Sequence, residues 1–158
     1  MIRLQFVLGS GCASRAIAWF SAGGHSGFSH VDAVMPDGTL LGARSDVIRG
    51  VAPGVQIRPE NYEKWKRRVV FTLAATAAQE ESYYSFLRSQ LGKGYDKAAI
   101  VGFVFGRAWQ ESDTWICSEL QAAALMHAGL CSPLYLAANQ ITPTMLALLV
   151  SGLGASAS

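Results

Sequence analysis

Charge is scarce in this chain. Only 15% of its 158 residues are Asp, Glu, Lys or Arg, and the formal net charge is +2. So even a balance argues against a protein that holds nucleic acid by neutralising phosphates over a broad face. The one basic run, "KWKRR" at 64–68, has no aromatic-interleaved or groove-reading motif beside it. It reads as a solvated strand edge, and no nucleic-acid partner is expected.

Cysteine is scarce too. Cys12, Cys117 and Cys131 are the only three, and no CxxC spacing occurs. An odd count without that spacing suggests neither a disulfide framework nor a zinc ribbon, so reduced thiols are the simpler reading. His25, His30 and Asp32 lie close together, but no fourth ligand follows at a recognised spacing, and no metal is expected. "LGKGYDK" lacks the GxxxxGK[ST] pattern of a phosphate loop. No cofactor is expected.

Long hydrophobic runs are absent as well. Nothing approaches the ~20 apolar residues of a membrane helix, so no stable membrane insertion is expected. The opening "MIRLQFVLGSGCAS" carries a short apolar run interrupted by Gln5, with glycine at position 9. A secretory signal core needs roughly 7–15 apolar residues. The stretch therefore reads as a first strand and a glycine loop, and a cytoplasmic chain at synthesis is expected.

What is present suits a folded domain. The chain is 51% hydrophobic, enough for one domain with a real core. We expect a single domain over 1–153 and a frayed tail over 154–158. Residues 3–8 read as a strand, and "CASRAIAWFSA" has helical spacing at 13, 16, 17 and 20. "FSHVDAVM", the turn signal "PDG" and "TLLGAR" read as a hairpin. "GVQIRP" and "RRVVFTLA" read as further strands.

The second half changes character. "TAAQEESYYSFLRSQLG" places Thr76 three before Gln79, a capping-box pattern, with Gly92 at the far end. "YDKAAIVGFVFGR" reads as a buried helix. "DTWICSELQAAALMHAGL" reads as another, capped by Asp113 or Thr114 and stopped at Gly129. "TPTMLALLVSG" starts a last helix with proline at its first position. Strands first and helices second make the fold α+β.

Two kinds of residue invite chemistry. Cys117 lies in the first turn of its expected helix, where free backbone N–H groups and the helix dipole favour a thiolate. Cys12 also starts a helix, so position alone does not select Cys117. Among possible bases, His127 falls in the last turn of the same helix, which suits a surface or C-cap histidine. His25 sits in the loop "GGHSG". His30 lies on a strand, which holds it rigidly, and Asp32 two residues on shares its sheet face.

These motifs in this order have a likeness. "FSHVDAVMPDGTLLGAR", then "LGKGYD", then "WICSELQAAAL" resembles the YiiX-like branch of the NlpC-type, papain-like cysteine hydrolases, over roughly residues 7–145. Members are circularly permuted, so the histidine strand precedes the cysteine helix. The resemblance implies a papain-like fold in which an antiparallel sheet packs against helices, with Cys117 as nucleophile and His30 as its base. It implies that Asp96 caps a helix, that Tyr95 lines the cleft, and that Ser118 and Glu119 give structural support. The main-chain N–H of Cys117 becomes the natural first oxyanion donor.

One departure stands out. The family often sets a glutamate on the strand after the histidine, and here Gly42 occupies that place. Asp32, Arg44, Ser45 or water then remain to orient His30. The implied activity is that of a cysteine amidohydrolase or peptidase working through a thioester, as in bacterial and phage proteins that cut cell-wall peptide. The partner would be a peptide or acyl-amide substrate. Two alternatives stay open. One is a lipid amidase, thioesterase or acyltransferase whose acyl pocket is walled by "AIAWF" and "AAIVGFVFGRAW". The other is a degenerate domain that binds without turnover.

Overall fold

The hairpin around "PDG" lies within the main sheet, and its turn chemistry is local. Gly38 takes a φ of 84°, which glycine adopts without steric penalty. Met35 N–H donates to the Thr39 carbonyl at 2.8 Å. The Asp37 carboxylate accepts from Thr39 N–H at 2.9 Å and from its hydroxyl at 2.6 Å. In this computed structural model, the described residues are 1–10, 19, 27–47, 50–95, 114–132 and 141–158.

The hairpin strands are β2 (His30–Val34) and β3 (Leu40–Arg44). With β1 (Ile2–Leu8), β4 (Gly54–Arg58) and β5 (Arg67–Leu73) they build an antiparallel sheet ordered β4-β3-β2-β1-β5. All three further strands were expected within a residue or two. Three helices follow among the described residues. The first, α1 (Ala77–Ser89), opens on the expected capping box. Gln79 N–H donates to the Thr76 hydroxyl at 3.2 Å, and Thr76 N–H donates to the Gln79 side chain at 3.0 Å. The architecture is mixed α+β, an antiparallel sheet packed against helices.

Two boundaries differ from expectation. The cysteine helix, α2 (Cys117–His127), begins later than "DTW" suggests, because Thr114–Trp115 (β7) pairs in parallel with Gly94–Tyr95 (β6). Ile116, not Thr114, is therefore the N-cap. Gly129, with a φ of 66°, lies just past the helix end as foreseen. The last helix, α3 (Pro143–Gly152), is capped by the Thr142 hydroxyl, with Pro143 in its first turn.

The tail expected to fray does not. Ser156–Ala157 (β8) pairs with Phe71 and Thr72 of β5, and Val70 and Ser158 exchange two backbone bonds of 2.9 Å. The upper part of β5 offers an open edge, and these small residues satisfy its backbone groups. The helices expected over 13–20 and 95–107 fall outside the described residues, apart from Trp19 and Tyr95. Cys12, His25, Asp96 and Asp113 fall outside as well.

The main core lies between one sheet face and the helices. Ile2, Leu4, Phe6, Val31, Ala33, Leu41, Ala43 and Leu73 meet Tyr83 and Leu87 of α1, Leu120 and Leu125 of α2, and Leu146 and Val150 of α3. The alternation of β2 sends His30 and Asp32 to the other face. That face is buried too, with a small apolar cluster of Val34, Leu40 and Val70 packed against Tyr62. No helix among the described residues is long and apolar enough to cross a membrane. Lys64, Lys66, Arg67 and Arg68 of the basic run are exposed, as a solvated strand edge requires.

Deleting residues 155–158 should lower stability by about 1–2 kcal/mol through the lost strand pairing. Urea denaturation followed by circular dichroism would measure it. An unchanged midpoint would mean that β8 contributes nothing.

Candidate functional site

The start of β2 is braced on two sides. Ser29 N–H donates to the Val7 carbonyl at 2.9 Å, and Gly9 N–H donates to the Ser29 hydroxyl at 3.1 Å. Phe28 N–H donates to the Thr144 hydroxyl of α3 at 3.0 Å. His30 follows directly, so its backbone is tied to β1 and, through Phe28, to α3.

Three side chains meet here. His30 Nε2 stands 2.9 Å from Asp32 Oδ1. The ring N–H does not point squarely at that oxygen, so the contact is chiefly electrostatic. The imidazole also lies near enough to Cys117 for each to shift the other's protonation, and the Val31 backbone N–H favours the Cys117 anion. Pairing of β2 with β3 is confined to Ala33 and Val34, so the beginning of β2, paired with β1, is open on its β3 side, and α2 packs against β2. Cys117 is 5% exposed and His30 8%, so solvent screens their attraction little.

The electrostatics follow from the partners. Burial alone pulls the His30 pKa down, but the Asp32 carboxylate and Cys117 outweigh it, and the net shift is upward. Burial pushes the Cys117 thiol up, but His30 outweighs it, and the net shift is downward. The two shifts together favour the thiolate–imidazolium pair. Among the described residues Cys131 has no such partner, and burial pushes its thiol up.

Asp32 is itself held by a second layer. Arg58 Nη2 of β4 reaches the same Oδ1 at 2.5 Å. The Tyr62 hydroxyl donates to Oδ2 at 3.1 Å. Burial disfavours the charged carboxyl, yet Arg58 and His30 more than reverse this and leave it well below the usual carboxylate range. Arg58 crosses β3 to get there, and it crosses at Gly42. A Cβ at position 42 would lie 2.1 Å from Asp32 Oδ1 and 3.3 Å from Arg58 Nη2. The glycine is thus the gap through which the ion pair forms.

Of the three residues expected to orient His30, only Asp32 touches it. Arg44 acts one step away, donating to the Tyr62 hydroxyl at 3.1 Å and pairing with Asp46 at 2.7 Å and Glu63 at 2.9 Å. Ser45 is exposed, and the partners of His30 described above do not include it. Sequence reasoning missed Arg58 and Tyr62. The one signal was an arginine at an even position of β4, on the face that also carries Gly42 and Asp32.

The first turn of α2 divides its tasks. Ser118 donates to the Ile141 carbonyl at 2.5 Å, tying α2 to the segment before α3. Glu119 accepts from Ile116 N–H at 3.3 Å, one half of a capping box whose other half Ile116 cannot supply. Both are buried, and both bond backbone groups around the helix start. Cys117 N–H, at the first helical position, has no intrahelical acceptor and suits an oxyanion. Tyr95 is half-buried against the main core and in register with Trp115. His127 is exposed, its ring 5.0 Å from that of Phe86. Among the described residues no group of three or more His, Cys, Asp or Glu side chains is placed to hold a metal ion.

No protein-family model matches this chain, and no curated protein matches it.

Replacing Gly42 by alanine should destabilise the fold by on the order of 2 kcal/mol, since one methyl group meets a carboxylate locked in a buried ion pair. Equilibrium urea unfolding would read this. A variant as stable as the parent would show that Asp32 is not confined.

Proposed function

We propose that the protein is a cysteine hydrolase of amide-type acyl bonds, built as a permuted papain-like domain of the NlpC kind. Cys117 is the nucleophile, His30 the general base, and Asp32 the residue that orients and charges the imidazole. One observation carries this reading. A thiol with a lowered pKa and an imidazole with a raised one act on each other in a buried site, although they come from opposite halves of the chain. Structural cysteines seldom have such company.

The chemistry follows from the placement. His30 takes the thiol proton, and the Cys117 sulfur attacks the carbonyl carbon. The oxygen gains the electron pair of the broken π bond and faces the N–H groups at the start of α2. The imidazolium returns its proton to the leaving amine as the C–N bond breaks, which leaves a thioester. Water, deprotonated by His30, attacks the thioester and releases the acid and the free thiol. The implied substrate is a peptide or acyl amide such as a cell-wall cross-peptide.

Asp32 also supports the reading against that of a degenerate domain. Gly42 removes the family's usual glutamate from β3, but a carboxylate stands beside the imidazole all the same, supplied from β2. The acyl-chain alternative rests on segments that, apart from the exposed Trp19, lie outside the described residues.

Thiol mapping tests this directly. With limiting iodoacetamide at pH 7, Cys117 should be modified at least ~10-fold faster than Cys131, as one pKa unit either way implies. Asp32→Asn should slow Cys117 by about tenfold, and Cys117→Ala should abolish hydrolysis of peptide amides. Should Cys117 react no faster than Cys131, the hydrolase reading fails.

A further inference from the structure

We infer that Arg58 is a positioning residue for the Cys117–His30 pair, acting through Asp32 across the gap at Gly42 to set the pH range in which the pair is reactive. The inference rests on the functional reading above, but it concerns a residue that neither the family likeness nor the sequence pattern singles out.

The geometry is specific. Arg58 lies on β4 and Asp32 on β2, with β3 between them. A side chain on β3 would block the approach, and only at Gly42 is there none. Arg58 Nη2 and His30 Nε2 both address Oδ1 of Asp32. The carboxylate therefore cannot turn toward one cation without pulling on the other. Tyr62 fixes Oδ2 and lays its ring 5.0 Å from the Arg58 guanidinium. Arg58 is 2% exposed, so water does little to dilute its charge at the pair.

Among the described residues, the charged and titratable groups around this centre are few. Asp32 faces His30 on its own strand, Arg58 from β4, Tyr62 from the segment after β4, Arg44 from β3 and Tyr83 from α1. His30 faces Cys117 from α2 and, farther off, Asp46 after β3. Arg58 and Arg44 are the cations of the set besides His30 itself, and Arg44 is already shared between Asp46 and Glu63.

The sign follows from the route. Without Arg58 the buried Asp32 carboxylate loses its counter-cation, becomes easier to protonate and holds His30 charged less well. The imidazolium then supports the thiolate less, so proton loss from Cys117 requires a higher pH. Loss of the His30 proton moves to lower pH. The range of the ion pair narrows from both sides, where a purely structural weakening would lower reactivity without moving either limb.

The experiment is a pH profile of Cys117 alkylation between pH 4 and 10, with Cys131 as internal reference, in the full chain. Arg58→Met should move the acid limb up by about one pH unit, a roughly tenfold lower rate on that limb. Arg58→Lys, which keeps the charge, should return most of the shift. In an Asp32→Asn background, Arg58→Met should move the limb by less than half as much. An Arg58→Met limb that stays in place, or a shift of equal size in Asp32→Asn, overturns the inference. If Arg58→Met does not fold, the Arg58→Lys profile decides, since a limb displaced by a full unit despite the retained charge also overturns it. The two readings separate cleanly. Normal limb shifts in a protein that hydrolyses no amide leave the Arg58 assignment standing and remove the hydrolase. If Cys117 proves unreactive, NMR titration of the His30 ring in the parent and Arg58→Met decides on Arg58 alone, with a downward shift expected and an unmoved or raised titration overturning it.

Discussion

The ion pair between Asp32 and Arg58 is the constraint on which the site depends. Both groups are buried, so each would be costly alone; leaving one partner unpaired typically costs on the order of 3–5 kcal/mol. Their pairing fixes three other choices. Position 42 must be glycine, because Asp32 and Arg58 fill the space of its side chain. The segment after β4 must supply Tyr62, which satisfies Oδ2 and covers the guanidinium. His30 must face Oδ1, within reach of the Cys117 charge. The polar row on this face exists beside a second, apolar core on the other face of the same strands, and alternation keeps the two apart.

The two halves of the chain contribute differently. The β half supplies a rigid imidazole and a charged carboxylate, held by strand pairing and by Ser29 and Phe28 just upstream. The α half supplies a thiol at a helix start, where Ser118 and Glu119 spend their side chains on fixing that start. A fully buried glutamine joins the halves: Gln121 of α2 accepts from the Tyr83 hydroxyl of α1 and donates to the Leu41 carbonyl of β3 at 3.1 Å. That bridge sets the height of α2 over the sheet and hence the approach of Cys117 to β2.

Much of this was legible in the sequence, and the pattern of success has a physical basis. Local signals were read well. The "PDG" turn, the Thr76–Gln79 box, Pro143 and Gly129 act within a few residues, and each sits where its chemistry placed it. The shared face of His30 and Asp32 follows from strand period alone. Boundaries set by partners far along the chain were read less well. Thr114–Trp115 looks like a helix start until Gly94–Tyr95 is beside it, and "GASAS" looks loose until β5 offers an edge. The second layer of the site was invisible for the same reason. Nothing near Arg58 or Tyr62 in sequence announces Asp32, and only strand order brings them together.

Gly42 shows how such an absence should be read. A missing carboxylate at an expected place suggests a lost function only if the space is left empty or filled with something inert. Here a carboxylate from the neighbouring strand occupies it, and its counter-cation lies across the glycine. Cys131 completes the argument from the other side. It is a partly buried thiol near the same core, and burial drives its pKa up. Burial acts on Cys117 in the same direction. What reverses the outcome is His30, and what makes His30 able to do so is a carboxylate held ionised by Arg58. The reactivity assigned to the cysteine thus originates two strands away from the histidine beside it, in an arginine that touches neither the thiol nor the imidazole ring it serves.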